Sequence, residues 1–208
     1  HYIISGMMVT IYSHTATLLL KQICDSEEVG YYKLANTIAN MWTFVLTAII
    51  DSMYPTIVTL HKEDLVRFEK KNRQLYCIVF YISLVVALGF LVFGKAFVLL
   101  LYGEQFLGAI NPLVILSLSI AFSYLGVARN SWVLCMKKQR YLKWMYLIAA
   151  IINIGLNVLL IPVQGSSGAA LSALITQICT SLVIPFFFKE MRPNVLLIFD
   201  SIRFRRIK

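Results

Sequence analysis

The feature of this sequence that most limits its fold is an alternation of basic and non-basic gaps between six apolar runs. The apolar runs cover residues 2–20, 29–60, 75–93, 112–136, 144–163 and 166–188. The gaps 61–74, 137–143 and 189–208 hold 5, 4 and 6 Lys or Arg residues, which is 15 of the 19 in the chain. The alternate gaps, 21–28, 94–111 and 164–165, hold only Lys21 and Lys95. Because basic loops are retained on the cytoplasmic side during insertion, the pattern predicts a multi-pass membrane protein with a cytoplasmic C-terminus.

The composition agrees with a membrane protein and bears on the class of partner. Hydrophobic residues make up 59% of the chain and charged residues 14%, outside the usual balance of soluble proteins. A net charge of +9 in a soluble protein would suggest nucleic acid. Here the charge lies in gaps next to the apolar runs, where anionic lipid headgroups are the expected partner. We therefore predict a membrane-lipid partner and no nucleic-acid partner.

The lengths of the runs predict the architecture. A span needs about 20 apolar residues of helix, so the sequence predicts an all-α integral membrane protein. Residues 1–188 are expected to form a six-transmembrane-helix bundle, and residues 189–208 a basic cytoplasmic tail. The run 29–60 is predicted to form one long helix, and residues 96–102 a short surface helix. The first run is already under way at Tyr2, which predicts that the chain is the C-terminal part of a longer protein.

Polar residues recur at intervals of three or four along the second run. They are Lys33, Asn36, Asn40, Thr43, Thr47, Asp51 and Tyr54. This spacing places them on one face of a helix, here called the polar stripe. Single Asn and Thr residues commonly form hydrogen bonds between membrane helices. For the whole stripe, with a charge near each end, the wall of a watery cavity is the favoured interpretation.

The first run carries a shorter polar pattern. Thr10, Ser13 or His14, Thr17 and Lys21 fall on one side of the predicted helix. His14 is either a hydrogen-bonded packing residue or a proton carrier, since the pKa of an ordinary histidine lies near neutrality.

Arg129 is a further charge inside a run, and three hypotheses compete for it. It could snorkel to the inner headgroups, pair with Asp51 at matched depth, or contact an anion on a substrate path. The sequence leaves all three open.

The fifth and sixth runs are predicted to be structural. Asn153 and Asn157 form an i, i+4 pair, and small residues at positions 168, 169, 172 and 173 allow close helix approach. Residues 164–166 are expected to form a tight outer turn. The four cysteines show no metal-binding spacing, so we expect no metal, no disulfide and no cofactor.

Several short motifs together resemble a known family. They are Val29-Gly30-Tyr31-Tyr32 with Ala35, Tyr54-Pro55, Leu101-Tyr102-Gly103-Glu104-Gln105-Phe106 with Ala109, Asn153 to Asn157, Leu160-Ile161-Pro162, Gly165 and Gly168-Ala169-Ala170. In order and spacing over the whole chain, they are similar to the C-terminal half of bacterial polysaccharide repeat-unit flippases. These are the O-antigen and capsule translocases of the multidrug, oligosaccharidyl-lipid and polysaccharide exporter superfamily.

The resemblance implies a specific function and location. The chain would be one half of a twelve-helix, two-bundle transporter in the bacterial inner membrane, with its first two spans lining a central cavity. Its partners would be the N-terminal half of the same transporter, other polysaccharide assembly proteins and the cargo. That cargo would be an undecaprenyl-pyrophosphate-linked oligosaccharide, moved from the inner to the outer leaflet by alternating access.

Two other functions compete with flipping as interpretations of the sequence. A cation-coupled drug antiporter of the same superfamily would use acidic residues in its cavity, and only Asp51 is available within the spans. A membrane polysaccharide polymerase or glycosyltransferase would need catalytic groups outside the membrane. The acids of the non-basic gaps, Asp25, Glu27, Glu28 and Glu104, are each explained as solvated loop charges. The sequence therefore predicts a transporter and not an enzyme.

Overall fold

The computed structural model describes residues 14–202, and all the regular structure in that range is helical. The elements are α1 (residues 14–23), α2 (Ser26–Asn40), α3 (Thr43–Glu63), α4 (Leu65–Tyr102), a 3₁₀ helix (Glu104–Ala109), α5 (Ile110–Cys135), α6 (Arg140–Ile178), a π-helix (Cys179–Val183), α7 (Ile184–Phe187) and α8 (Arg192–Ile202).

Four segments of the described chain are long and apolar enough to cross a membrane. They are Ser26–Glu63, Leu65–Tyr102, Glu104–Cys135 and Arg140–Phe187. The protein is therefore an all-helical chain with the properties of a membrane protein. Most of the run 2–20 lies outside the described residues, and the six-span count and the second bundle stay predictions.

The longest segment folds back on itself at Gly165. The Nδ2 of Asn153 donates to the Oγ1 of Thr176 at 3.1 Å. These residues are 23 positions apart and would lie about 35 Å apart in a straight helix. Gly165 has φ +53° and ψ −129°, outside helical backbone. The turn predicted at residues 164–166 is confirmed, and α6 consists of two antiparallel arms, residues 140–164 and 166–178.

Glu28 holds this turn. Its Oε2 accepts a hydrogen bond from the N–H of Ser166 at 2.6 Å, at the start of the second arm. A carboxylate there satisfies a free N–H group and favours the positive end of the helix. A Cβ at Gly165 would collide with the same carboxylate. The interpretation of Glu28 as a solvated loop charge was therefore wrong.

The second apolar run contains a break that the sequence analysis missed. Helix α2 ends at Asn40 and α3 begins at Thr43. The N–H of Met41 bonds to the carbonyl of Ile38, and the side chain of Thr43 donates to the carbonyl of Asn40 at 2.8 Å. Short polar side chains that bond to nearby carbonyls compete with helical hydrogen bonding. The prediction of one long helix agrees with the membrane-length segment Ser26–Glu63, which a turn at Met41 and Trp42 interrupts.

The third apolar run extends further than predicted. Residues 96–102 continue α4, which ends only where Gly103 adopts φ +86°. The separate short helix is the 3₁₀ helix Glu104–Ala109. The segment between Phe93 and Tyr102 contains one glycine, Gly94, and no proline. Gly94 packs against Leu113 inside the fold and does not end the helix. The predicted surface helix over 96–102 was therefore wrong.

The gaps between the runs meet at the two ends of the bundle as their charges predict. Glu190 contacts Arg140, and Ser201 donates to the carbonyl of Arg73, so the three basic gaps share one end. Glu28 contacts Ser166 at the other end. This grouping agrees with the alternation of charge along the sequence. The orientation of the two ends relative to the cytoplasm stays a prediction.

Helix α5 is the centre of the packing. It lies against α2, α4 and α6, and it buries Leu113, Leu125 and Trp132. Helix α8 packs on α4, where the Nδ2 of Asn194 donates to the hydroxyl of Tyr76 at 2.7 Å. The segment predicted as a basic tail thus contains an ordered helix. Within residues 14–202, these contacts leave one side of α2 and α3 uncovered, and the candidate site lies there.

Candidate functional site

A cavity of about 380 Å³ opens between α1, α2, α5 and both arms of α6. Its walls are formed by Ala16, Tyr32, Asn36, Asn40, Leu116, Ser119, Ile120, Ser123, Asn153, Ala169, Ala173 and Gln177. The wall carries amide and hydroxyl groups and no formal charge. Its size falls within the range of about 300–1,000 Å³ that is typical of small-molecule sites.

Asn36 and Asn40 form the exposed polar edge of the cavity. The Nδ2 of Asn40 donates to the carbonyl of Asn36 at 2.8 Å and to its Oδ1 at 3.1 Å. The Nδ2 of Asn36 and the Oδ1 of Asn40 make no hydrogen bond to the described chain. An amide group has two donors and an acceptor, so the pair can still bond to a ligand.

Asn153 and Asn157 form a second pair with the same spacing on the opposite wall. The Nδ2 of Asn157 donates to the Oδ1 of Asn153 at 2.8 Å, and Asn153 donates to Thr176. These asparagines are 3% and 0% exposed, so their hydrogen bonds are made inside the fold. This pair joins the two arms of α6, as predicted for a structural pair.

The structure divides the predicted site residues. Asn36 and Asn40 lie on the cavity, whereas the remaining candidates are not among its wall residues. Those candidates are Lys33, Thr43, Thr47, Asp51, Arg129 and His14. Lys33 is exposed one turn before Asn36, and Asp51 is exposed on α3.

Two threonines of the polar stripe have partners within the chain. Thr43 donates to the carbonyl of Asn40 at 2.8 Å, and the hydroxyl of Thr47 lies 3.4 Å from that of Tyr124 on α5. His14 is exposed on α1, while Thr10 and Ser13 lie outside the described residues. The stripe therefore continues from the cavity along an exposed face.

Arg129 is fully enclosed between α5 and the π-helix. Its Nη1 donates to the carbonyl of Thr180 at 2.9 Å, and its exposed fraction is 0%. Its Nε and Nη2 have no hydrogen-bond partner in the described chain. Snorkelling and pairing with Asp51 are both wrong for this conformation, because the guanidinium reaches neither a surface nor that carboxylate.

The sequence contains the reason for this contact. Pro185 has no N–H, so a carbonyl four or five residues earlier loses its usual donor. Thr180 lies five residues before Pro185, within the π-helix Cys179–Val183. In a π-helix the carbonyl of residue i accepts from the N–H of residue i+5. Arg129 supplies the missing donor. Its role in this conformation is therefore to hold the backbone of the sixth run.

Sequence reasoning missed four polar wall residues. They are Tyr32, Ser119, Ser123 and Gln177. Ser119 and Ser123 are four residues apart on α5, so the spacing that revealed the polar stripe could have found them. Gln177 becomes a wall residue only because α6 folds back, and its position depends on the turn at Gly165.

The fold and the site together define a helical membrane protein with an uncharged, hydrogen-bonding cavity between its spans. Comparison with family models gives one match, described as polysaccharide biosynthesis protein, over residues 1–111. The matched region covers more than half of the chain and includes Asn36 and Asn40. The chain belongs to this polysaccharide biosynthesis protein family. Comparisons with curated proteins and with solved structures give no match.

Proposed function

We propose that this protein is part of a transporter that moves a lipid-linked oligosaccharide across the bacterial inner membrane. The cargo is an undecaprenyl-pyrophosphate-linked repeat unit, carried from the inner to the outer leaflet for polysaccharide assembly. The observation that carries the proposal is the uncharged amide and hydroxyl wall around Asn36 and Asn40. The membership in a polysaccharide biosynthesis family supports the class of cargo.

The chemistry of the wall suits a sugar. Sugar hydroxyls both donate and accept hydrogen bonds, and the unpaired Nδ2 of Asn36 and Oδ1 of Asn40 offer one partner of each kind. The hydroxyls of Tyr32, Ser119 and Ser123 add groups that can do both. A neutral wall also lets a polar cargo leave again, because it forms no strong ion pair.

The exposed polar stripe supports a longer path than the cavity alone. In the segment Ser26–Glu63, only 17% of the most apolar 18-residue stretch is buried by the described chain. Polar groups at membrane depth normally face a protein interior or water. We infer that the N-terminal half of the same transporter covers this face and completes the path. Rocking of the two halves would then give alternating access.

The pyrophosphate of the cargo requires a cation, and Lys33 is the best placed. It is exposed on α2, one turn from Asn36. Arg129 is enclosed and bonded to Thr180, so it belongs to the structure of this conformation. The drug-antiporter alternative is disfavoured, because no carboxylate lines the cavity in the described chain. The protein is proposed to transport its cargo without chemical change.

The test is translocation by the full-length transporter in vesicles that contain the lipid-linked oligosaccharide of its host. Asn36→Ala combined with Asn40→Ala should lower the transport rate about tenfold, as expected for two lost hydrogen bonds of about 0.5–1.5 kcal/mol each. The matched control is Thr37→Ala, which changes an exposed α2 residue outside the cavity wall. Full transport by the double variant at normal protein levels would contradict the proposal.

A further inference from the structure

The two turns at the basic end of the bundle meet at Glu190. The Oε1 of Glu190 accepts from the Nη2 of Arg140 at 3.1 Å, and its carbonyl accepts from the Nζ of Lys138 at 2.6 Å. The turn between α5 and α6 is thereby fixed to the turn between α7 and α8. The basic side chains of these two turns and of the adjoining helix ends are here called the basic cluster. It consists of Lys137, Lys138, Arg140, Lys143, Lys189 and Arg192.

Four cations of the basic cluster lie over aromatic rings. Lys138 lies over Trp132, Arg140 over Tyr141, Lys143 over Trp144 and Arg192 over Phe186, at 5.1, 4.9, 5.6 and 5.3 Å from the ring centroids. The Nε of Arg192 also donates to the carbonyl of Phe186 at 2.9 Å. A cation held by a ring face loses less conformational freedom when it binds an anion. The cations are thus partly positioned before any ligand arrives.

The charge of the basic cluster is poorly balanced within the protein. The two turns and the adjoining helix ends carry six basic residues, and Glu190 is the single acidic residue among them. The Tyr141 hydroxyl, Arg140 and Lys138 all favour the ionised carboxyl of Glu190, so its pKa is lowered. It is therefore ionised at neutral pH and offsets one of the six charges. The remaining positive charge attracts an external anion.

Large apolar side chains flank the same cations. Trp144, Phe186, Phe187, Leu196 and Phe199 have exposed fractions of 52, 48, 76, 57 and 43%. Phe187 is the last residue of the candidate span Arg140–Phe187, so this flank meets the membrane interface. The surface therefore presents cations beside an apolar region. This arrangement is complementary to a lipid, whose phosphate lies next to its acyl chains.

We propose that the basic cluster binds an anionic phospholipid, with its phosphate on Arg140, Lys143 and Arg192 and its acyl chains along the apolar flank. Arg140 and Lys143 are three residues apart on one face of α6, within reach of a single headgroup. A soluble polyphosphate would make no use of the apolar flank. An acidic protein segment would compete with lipid for a surface at the membrane interface. This inference does not depend on the cargo of the transporter.

The test uses native mass spectrometry of the detergent-purified full-length protein, titrated with phosphatidylglycerol or with phosphatidylcholine of the same acyl chains. Arg140→Gln, Lys143→Gln and Arg192→Gln combined should weaken phosphatidylglycerol binding about tenfold or more. The matched control is Lys62→Gln, Lys70→Gln and Lys71→Gln, which removes the same charge from another gap at this end. The control should lose no more than about threefold, the effect of net charge alone.

A second variant guards against misfolding of the triple variant. Glu190→Gln removes the competing carboxylate and frees Arg140, so phosphatidylglycerol should bind severalfold more tightly. Equal loss in the two triple variants, or no gain in Glu190→Gln, would overturn the proposal. Equal binding of phosphatidylcholine would do the same. Displacement of the lipid by inorganic pyrophosphate or polyglutamate at equal concentration would identify a soluble anion or an acidic segment as the ligand instead.

Discussion

The chain contains two asparagine pairs with the same spacing and the same internal hydrogen bond, in opposite surroundings. Asn40 donates to the Oδ1 of Asn36 at 3.1 Å, and Asn157 donates to the Oδ1 of Asn153 at 2.8 Å. The first pair is exposed on the cavity, while the second is buried and bonded on to Thr176. Equal sequence patterns thus serve two purposes, and the neighbouring helix decides which.

The difference follows from what covers each pair. The second arm of α6 folds against the first and supplies Thr176 as the partner of Asn153. No described helix supplies a corresponding partner to Asn36. The unpaired amide groups of the first pair can therefore bond only to water, cargo or another part of the transporter. We conclude that the α2 pair is available for binding and that the α6 pair stabilises the hairpin.

The largest predicted effect comes from opening the α6 hairpin at its turn. Gly165→Ala places a side chain at φ +53° and ψ −129° and against Glu28. Backbone strain of this kind costs about 1–3 kcal/mol, and the loss of the Glu28 contact adds to it. We expect a marked loss of monodisperse protein in fluorescence-detected size-exclusion chromatography and a lower melting temperature.

Gly155→Ala is the control for this change. It lies in the first arm of α6, and a Cβ there meets no atom within 4 Å. Because Ala is the better helix former, this variant should be as stable as the parent or slightly more so. If Gly155→Ala lowered the stability as much as Gly165→Ala, the loss would not be specific to the turn.

A smaller effect is predicted for the asparagines themselves. Asn153→Ala removes the bond to Thr176 and leaves Asn157 without its acceptor, which should cost about 1 kcal/mol. Asn36→Ala should leave the melting temperature nearly unchanged, because no other helix among the described residues bonds to this side chain. Thermal unfolding of the two variants in the same detergent compares them directly. A larger stability loss in Asn36→Ala would show that the α2 pair is structural.

The smallest predicted effect is a pH dependence at the exposed end of the bundle. The pKa of Glu190 is lowered in the folded protein from its ordinary value of 4.5, first by Tyr141 and then by Arg140 and Lys138. Its contribution to stability is thus fully present above about pH 4.5 and is lost as the pH falls through the lowered value. The melting-temperature difference between the parent and Glu190→Gln should shrink from pH 6 to about pH 3.5. A constant difference would mean that the ionised carboxylate contributes nothing.

The sequence predicted the class of fold and part of the site. Charge alternation and helical periodicity predicted an all-α membrane protein, the grouping of the gaps and the turn at Gly165. These features depend on local composition and on the membrane. The break after Asn40 and the π-helix at Thr180 depend on side-chain donors that bond to backbone carbonyls. The lengths of the apolar runs do not reveal such bonds.

The predicted depth of a residue in the membrane could not distinguish the possible partners of Arg129. Asp51 and Arg129 were matched in depth, but depth does not say which face of a neighbouring helix is turned inward. The partner of Arg129 is a backbone carbonyl, and Pro185 is the sequence signal for it. Likewise, Asn36 and Asn153 could be told apart only when the helix that covers each was known.

The most direct test of the central claim is the reactivity of single cysteines at the two pairs. On a background without the four native cysteines, Asn36→Cys and Asn40→Cys should react rapidly with a small polar thiol reagent. Asn157→Cys should react far more slowly, because Asn157 is fully buried and is not a wall residue of the cavity. Equal reactivity at Asn36, Asn40 and Asn157, or faster reaction at Asn157, would contradict the assignment of the α2 pair to the cavity and of Asn157 to the interior.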